Sequence, residues 1–425
     1  MEPLDLEPVT SALGRSLDAI TGSLVKVRRD LHAHPELAHA EVRTSEVIAD
    51  QLRQAGIVPR LLPGSGVIAD LGAGDAAYRV ALRADLDALP LKETTGHPFA
   101  SVYDGVAHAC GHDVHIVSVL GAGIALRRQQ AELERRGVGI RLIFQPAEEV
   151  IPGGAQGLIE RGALDGVDRI FGIHCDPSID VGQVGLKDGA LTAAADAVTV
   201  ALSGRGGHTS RPHLTEDLTY ALAKVITDVP AALSRRLDPR AGAALVWGTV
   251  HAGGAQNVIP SSGTVSGTLR ILDAAVWREV GPLIDDLVQA IVAPYGVHAK
   301  VDHEQGVPPV VNDPAAVRAL RAAAQAAIGP DAVVPTKQSL GGEDFAWYVT
   351  NVPGAMARLG TRTPGGPTYD LHRGDLVIDE GAIGLGARLL ARAALGSAPA
   401  ERLDAPDSGA RGDSAPAPGM SSNAA

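Results

Sequence analysis

The residues able to do chemistry gather at four places in this chain. Asp85-Leu86-Asp87 follows the apolar run Val80-Ala81-Leu82-Arg83. The loop His108-Ala109-Cys110-Gly111-His112-Asp113 opens an apolar stretch over 114–127. Gln145-Pro146-Ala147-Glu148-Glu149 follows the apolar run 139–144, and His174 follows 169–173. Thiolate, imidazole and carboxylate together suit Zn²⁺ or another borderline divalent metal. Adjacent glutamates allow a division of labour, one binding metal and the other taking a proton from the attacking water. A helix starting after His112 also favours a thiolate at Cys110. Each element has a plainer reading: Asp85 and Asp87 as turn residues, Glu148-Glu149 as a helix cap, His174 as a core histidine. Four such groups at one sheet edge are better explained by a common site.

The elements that must position these groups are short apolar strands alternating with helices over 13–187. That rhythm predicts a mainly parallel, doubly wound sheet, whose ligands sit beyond the carboxyl ends of the strands. Over 191–304 the order becomes βαββαβ, the pattern of a ferredoxin-like sandwich. From 306 to 395 the first rhythm returns. The expected fold class is therefore α/β, a doubly wound catalytic domain with an inserted ferredoxin-like α+β domain. The expected divisions are 1–188 and 306–396 for the catalytic domain and 189–305 for an inserted lid or dimerisation domain. Residues 397–425, rich in Ala, Pro, Ser and Gly, read as a disordered tail.

Composition excludes several function classes. The chain has 425 residues, 45% hydrophobic and 20% charged, so it can bury a sizeable core. Its formal charge of −12 argues against a nucleic-acid partner, which needs a basic footprint. No apolar run is long enough to span a membrane. Two cysteines, Cys110 and Cys175, are too few for a disulfide framework. The acidic N-terminus lacks the basic and apolar regions of a signal peptide, so a cytoplasmic location is expected.

At this point the sequence resembles the amidohydrolase branch of the dinuclear-metal aminoacylase/carboxypeptidase family. That branch includes hippurate hydrolases, auxin-conjugate hydrolases and N-acetyldiaminopimelate deacetylases. The matching stretches are RRDLHAHPEL (28–37), ALRADLDALPLKE (81–93), HACGHDVH (108–115), FQPAEE (144–149), GGAQGLIERGAL (153–164), GIHCDP (172–177), GRGGHTSRPH (204–213), NVIP (257–260), GGEDFAWY (341–348) and LH (371–372). They occur in the family's order along most of the chain.

The resemblance implies that Cys110, His112, Glu149, His174 and His372 bind two divalent ions per subunit, with Cys110 bridging them. Zn, Mn, Co and Ni all suit that set. Glu148 is implied as general base and Asp87 as the acid that orients a ligand. His208 is implied to stabilise the tetrahedral intermediate, reaching the partner's active site in dimeric relatives. Asn257 and Arg270 are implied to hold a substrate carboxylate. The implied reaction is metal-assisted hydrolysis of N-acyl amino acids, small-molecule substrates, by a homodimer or higher oligomer. Alternatives are a ureido-compound amidohydrolase or dipeptidase on the same scaffold, a thiol enzyme with Cys110 as nucleophile, and a non-catalytic metal-binding protein. One departure stands out: relatives commonly carry Asn-Pro or Ser-Pro after the last ligand, whereas Arg373-Gly374 follow His372 here.

Overall fold

A computed structural model describes residues 7–397. The expected tail, 397–425, lies outside the described residues except for Ser397. The central feature is an eight-stranded mixed sheet. Across it run Pro59–Leu61, Val67–Gly72, Val138–Gln145, Tyr78–Asp85, Arg169–Asp180, Gly354–Arg362, Val184–Leu186 and Val333–Pro335. The four strands from Val138–Gln145 to Gly354–Arg362 are mutually parallel. Every residue of Val138–Gln145 is buried, as expected of a strand covered on both faces.

The helix His112–Arg127 is apolar nearly all round because it packs between the sheet and the helices Glu7–Ala33 and Gly381–Gly396. Gly123 permits that approach, since a Cβ there would stand 2.3 Å from a Leu142 methyl. The α/β, doubly wound architecture expected from the sequence is thus present.

One strand differs from the sequence reading. Arg169–Asp180 does not end before His174 but continues beside Gly354–Arg362, with Arg358 opposite His174. His-Cys-Asp-Pro reads locally as a turn, yet a neighbouring strand far along the chain holds it extended.

The ferredoxin-like unit follows the expected βαββαβ order. Its strands Ala195–Ser203, Ala244–Ala252, Ser262–Arg270 and His298–Val307 form one antiparallel sheet. The first strand lies between the third and the fourth, and the second is an edge. Helices Leu218–Arg236 and Ala274–Val292 cover one face over a core including Val200, Val225, Val265 and Ile284. Asp217 and Asp273 cap them by accepting backbone N–H bonds from Tyr220 and from Ala275 and Val276. Among the described residues, no helix is long and apolar enough to cross a membrane.

Candidate metal centre and active site

The carboxyl ends of the parallel strands bring the candidate ligands together. Tyr78–Asp85 leads into Asp87, Val138–Gln145 into Glu148 and Glu149, and Arg169–Asp180 carries His174. Cys110 sits in the loop before His112–Arg127. Gly111 takes a left-handed φ of 88°, and a Cβ there would meet the Cys175 sulfur at 2.8 Å. His372 has a left-handed φ of 60° and is tied down by donating its N–H to the Ala109 carbonyl at 2.8 Å.

Two groups of donor atoms result, sharing one sulfur. Cys110, His112 and His174 offer donors within 4.8 Å of one another, and so do Cys110, Glu149 and His372. Cys110 Sγ lies 3.5 Å from His174 Nε2, and His372 Nε2 lies 3.3 Å from Glu149 Oε1. Second-ring nitrogens fix the tautomers. His112 Nδ1 donates to the Asp87 carbonyl at 2.8 Å, and His174 Nδ1 donates to the Cys175 carbonyl at 2.9 Å. Both Nε2 lone pairs are thereby left for the centre. His112 Nε2 and Glu149 Oε1 are buried without a hydrogen-bond partner. Orphaned buried donor atoms beside a buried thiol are what a bound divalent cation would satisfy, so these residues fit the metals.

Asp87 supports this arrangement from beneath. Its Oδ2 accepts the Glu149 N–H at 2.8 Å, and its Oδ1 lies 3.4 Å from His112 Nδ1. Deeper still, Arg83 donates to Asp85 at 2.6 Å and to Asp344 at 2.7 Å. Asp85 also meets His115 Nδ1 at 2.6 Å, and His115 Nε2 accepts the Cys175 N–H at 2.8 Å. Asp85 and His115 therefore brace the site and are occupied by each other.

Burial dominates the electrostatics. It pushes the Cys110 thiol up, against the pull of His112. Desolvation thus works against the thiolate favoured by the helix terminus, and a bound cation would favour it. That weighs against an unaided thiol nucleophile. Burial, then Glu343 and Glu149, push the Glu148 carboxyl well above the usual carboxylate range. A carboxylate with raised proton affinity suits a base that must accept and return a proton. Burial, reinforced by Arg358, holds His174 well below the usual histidine range, in the neutral form that ligates. The neighbouring Cys110 and Glu149 side chains hold His372 up at about 10.

Not every expected residue reaches this cavity. Cys110, Glu148, Glu149, His174 and His372 line it, together with Glu343 and Arg358. Arg270 stands beside it: its Nη1 lies 3.9 Å from where a Cβ on Gly342, a lining residue, would be. His208 and Asn257 do not line it. They sit together on an exposed face of the ferredoxin-like unit, where Thr209 N–H donates to the Asn257 carbonyl at 3.2 Å. Arg373 is exposed and pairs with Asp375 at 2.9 Å, pointing to no ligand. Gly374 is required by contact, since a Cβ there would stand 2.0 Å from the Lys92 carbonyl. The sequence reading gave no role to Glu343, Asp344 or Arg358. The first two lie in a quoted motif; Arg358 sits in a strand run that carries no motif.

Comparison with known proteins agrees with this geometry. The model of peptidase family M20/M25/M40 matches residues 81–396. The chain is 38% identical over 370 residues to an N-acetyl-L-cysteine deacetylase of Bacillus subtilis, covering 87% of this chain and 86% of that protein. It is 47% identical over 368 residues to a putative glutamate–cysteine ligase 2-3 of Rhodococcus jostii. That match covers 86% of this chain but only 46% of the relative, so the chain spans about half of that protein's length. A solved Bacillus subtilis structure, the YXEP protein described as a dinuclear metal binding peptidase of the M20 family, superposes with a TM-score of 0.77. Identity there is 34%, with 89% of this chain and 98% of that chain covered. The chain belongs to peptidase family M20/M25/M40 and is a metal-dependent hydrolase.

Proposed function

We propose that the protein hydrolyses the amide bond of N-acyl amino acids, releasing a carboxylate and a free amino acid. The observation that carries this reading is the pair of donor groups sharing Cys110, with a separate glutamate, Glu148, beside them. The deacetylase and dinuclear-peptidase relatives support it. Cys110, His112 and His174 would hold one divalent ion, and Cys110, Glu149 and His372 the other. When bound, such ions supply Lewis acidity and lower the pKa of a water.

The chain's own residues do the rest. Glu148 takes the proton of the attacking water and passes it to the leaving nitrogen. Asp87 fixes the Glu149 backbone and, through its carbonyl, the His112 tautomer. Arg270 binds the α-carboxylate from the lid side of the cavity. His208 stabilises the oxyanion in trans, and Asn257 accompanies it, because both face outward from their own chain. The open edge strand Ala244–Ala252, with Val246 63% and Val250 51% exposed, supports pairing with a second copy. Two buried, unpaired cysteines fit a reducing, cytoplasmic setting.

A hydrolysis screen over N-acetyl, N-benzoyl and long-chain N-acyl amino acids tests the reading. Turnover is expected with added Zn, Mn, Co or Ni, and none after chelation. Full activity in protein shown by elemental analysis to be metal-free would refute it.

A further inference from the structure

Arg358 is a cationic wall of the cavity that the proposed reaction does not use. It is 8% exposed, it lies opposite His174 in the strand register, and its guanidinium has no hydrogen-bond or ion-pair partner among the described residues. A guanidinium does not deprotonate, and a buried charge without a partner is costly. The surface it keeps faces two cavities. The inner one, about 130 Å³, is lined by Cys110, Glu149, His174 and His372. The outer one, about 240 Å³, continues past Ser339, Arg358 and Leu371, which line both. Lys337 adds a second cation to the outer wall. The acids there are turned to local bonds: Asp176 accepts from Ser178, and Asp370 accepts from the Leu371 N–H.

Among the described residues no side chain explains the placement of Arg358 by pairing with it. A partner brought by the substrate does account for it. Resting on the N-acyl amino acid reading above, we infer that Arg358 is a second anion-recognition point. The preferred substrates carry a carboxylate in addition to the α-carboxylate assigned to Arg270. Arg suits that task through its planar, bidentate fork, and the outer cavity gives room for the extra chain.

Two substrate pairs read the effect and locate the second carboxylate. N-succinyl-leucine against its terminal amide places it on the acyl group. N-acetylglutamate against N-acetylglutamine places it on the amino acid. In the wild type, one acid should exceed its amide in kcat/KM by about tenfold or more, the value of a charge-assisted hydrogen bond. Arg358→Met should abolish that ratio, and Arg358→Lys should keep part of it. Calorimetric binding of glutarate against butyrate to the metal-loaded protein gives a readout free of turnover, with metal content measured alongside. Glutarate should bind more tightly than butyrate in the wild type and lose that advantage in Arg358→Met. If no N-acyl amino acid is hydrolysed but this binding difference stands, the functional reading fails and the second anion site survives. Equal loss on acid and amide, unchanged glutarate binding in Arg358→Met, or a uniform loss that tracks lower metal content would overturn the inference.

Discussion

At the scale of single residues, adjacent glutamates divide their work by where each is held. Glu149 has its N–H fixed by Asp87, and its Oε1 sits among Cys110 and His372. Around Glu148, burial with Glu343 and Glu149 raises the affinity of its carboxyl for a proton. Glu148→Gln keeps the shape and removes the base. It is expected to lose about 10²–10⁴-fold in kcat with metal content unchanged, read by steady-state kinetics and elemental analysis. Near-normal kcat in a fully loaded variant would remove Glu148 from its role.

At the scale of elements, the helix Glu7–Ala33 is locked to the site by a buried ion network. Arg28 and His32 both contact Asp113 Oδ2, at 2.6 and 2.8 Å, directly after His112, a proposed metal ligand. His32 Nε2 also meets Glu93 at 3.2 Å, and Glu93 accepts the Ser101 N–H at 2.7 Å. Burial would lift the Glu93 carboxyl, but His32, Ser101 and Thr95 hold it at about 2, against an ordinary value of 4.5. A depressed native pKa stabilises the fold above the unfolded value and ceases to do so as pH falls through the native one. The thermal-stability advantage of wild type over Glu93→Gln should therefore be full above pH 4.5 and shrink toward pH 2. A constant difference in Tm across that range would mean that Glu93 is not held as a carboxylate.

What the sequence disclosed follows from the same element-scale logic. Cys110, His112, Glu148 and Glu149 were legible because each stands where an apolar run starts or stops against a polar group. His372 was not legible that way. It became visible only through family resemblance, because its loop is placed by the Ala109 carbonyl far earlier in the chain. Arg358 was hidden for a related reason. Its strand reads as ordinary core, and its neighbour His174 belongs to a strand whose second half is held extended only by that pairing.

At the scale of the whole molecule, one chain does not bring all of the proposed site residues together. The metal donors, Glu148 and Arg270 converge, while His208 and Asn257 face outward from the ferredoxin-like unit. An isologous pair of chains would give each cavity the His208 of the other. On the proposed reading, each working site joins Glu148 and the metal donors of one chain to the partner's His208. A mixed dimer tests it most directly, made by co-expressing Glu148→Gln and His208→Ala chains with different tags and purifying on both. Each variant alone should be nearly inactive. In the mixed dimer one of two sites has both groups intact, so turnover should recover to about half that of wild type. A purified mixed dimer as inactive as its two parents, or a His208→Ala parent with undiminished activity, would contradict the claim.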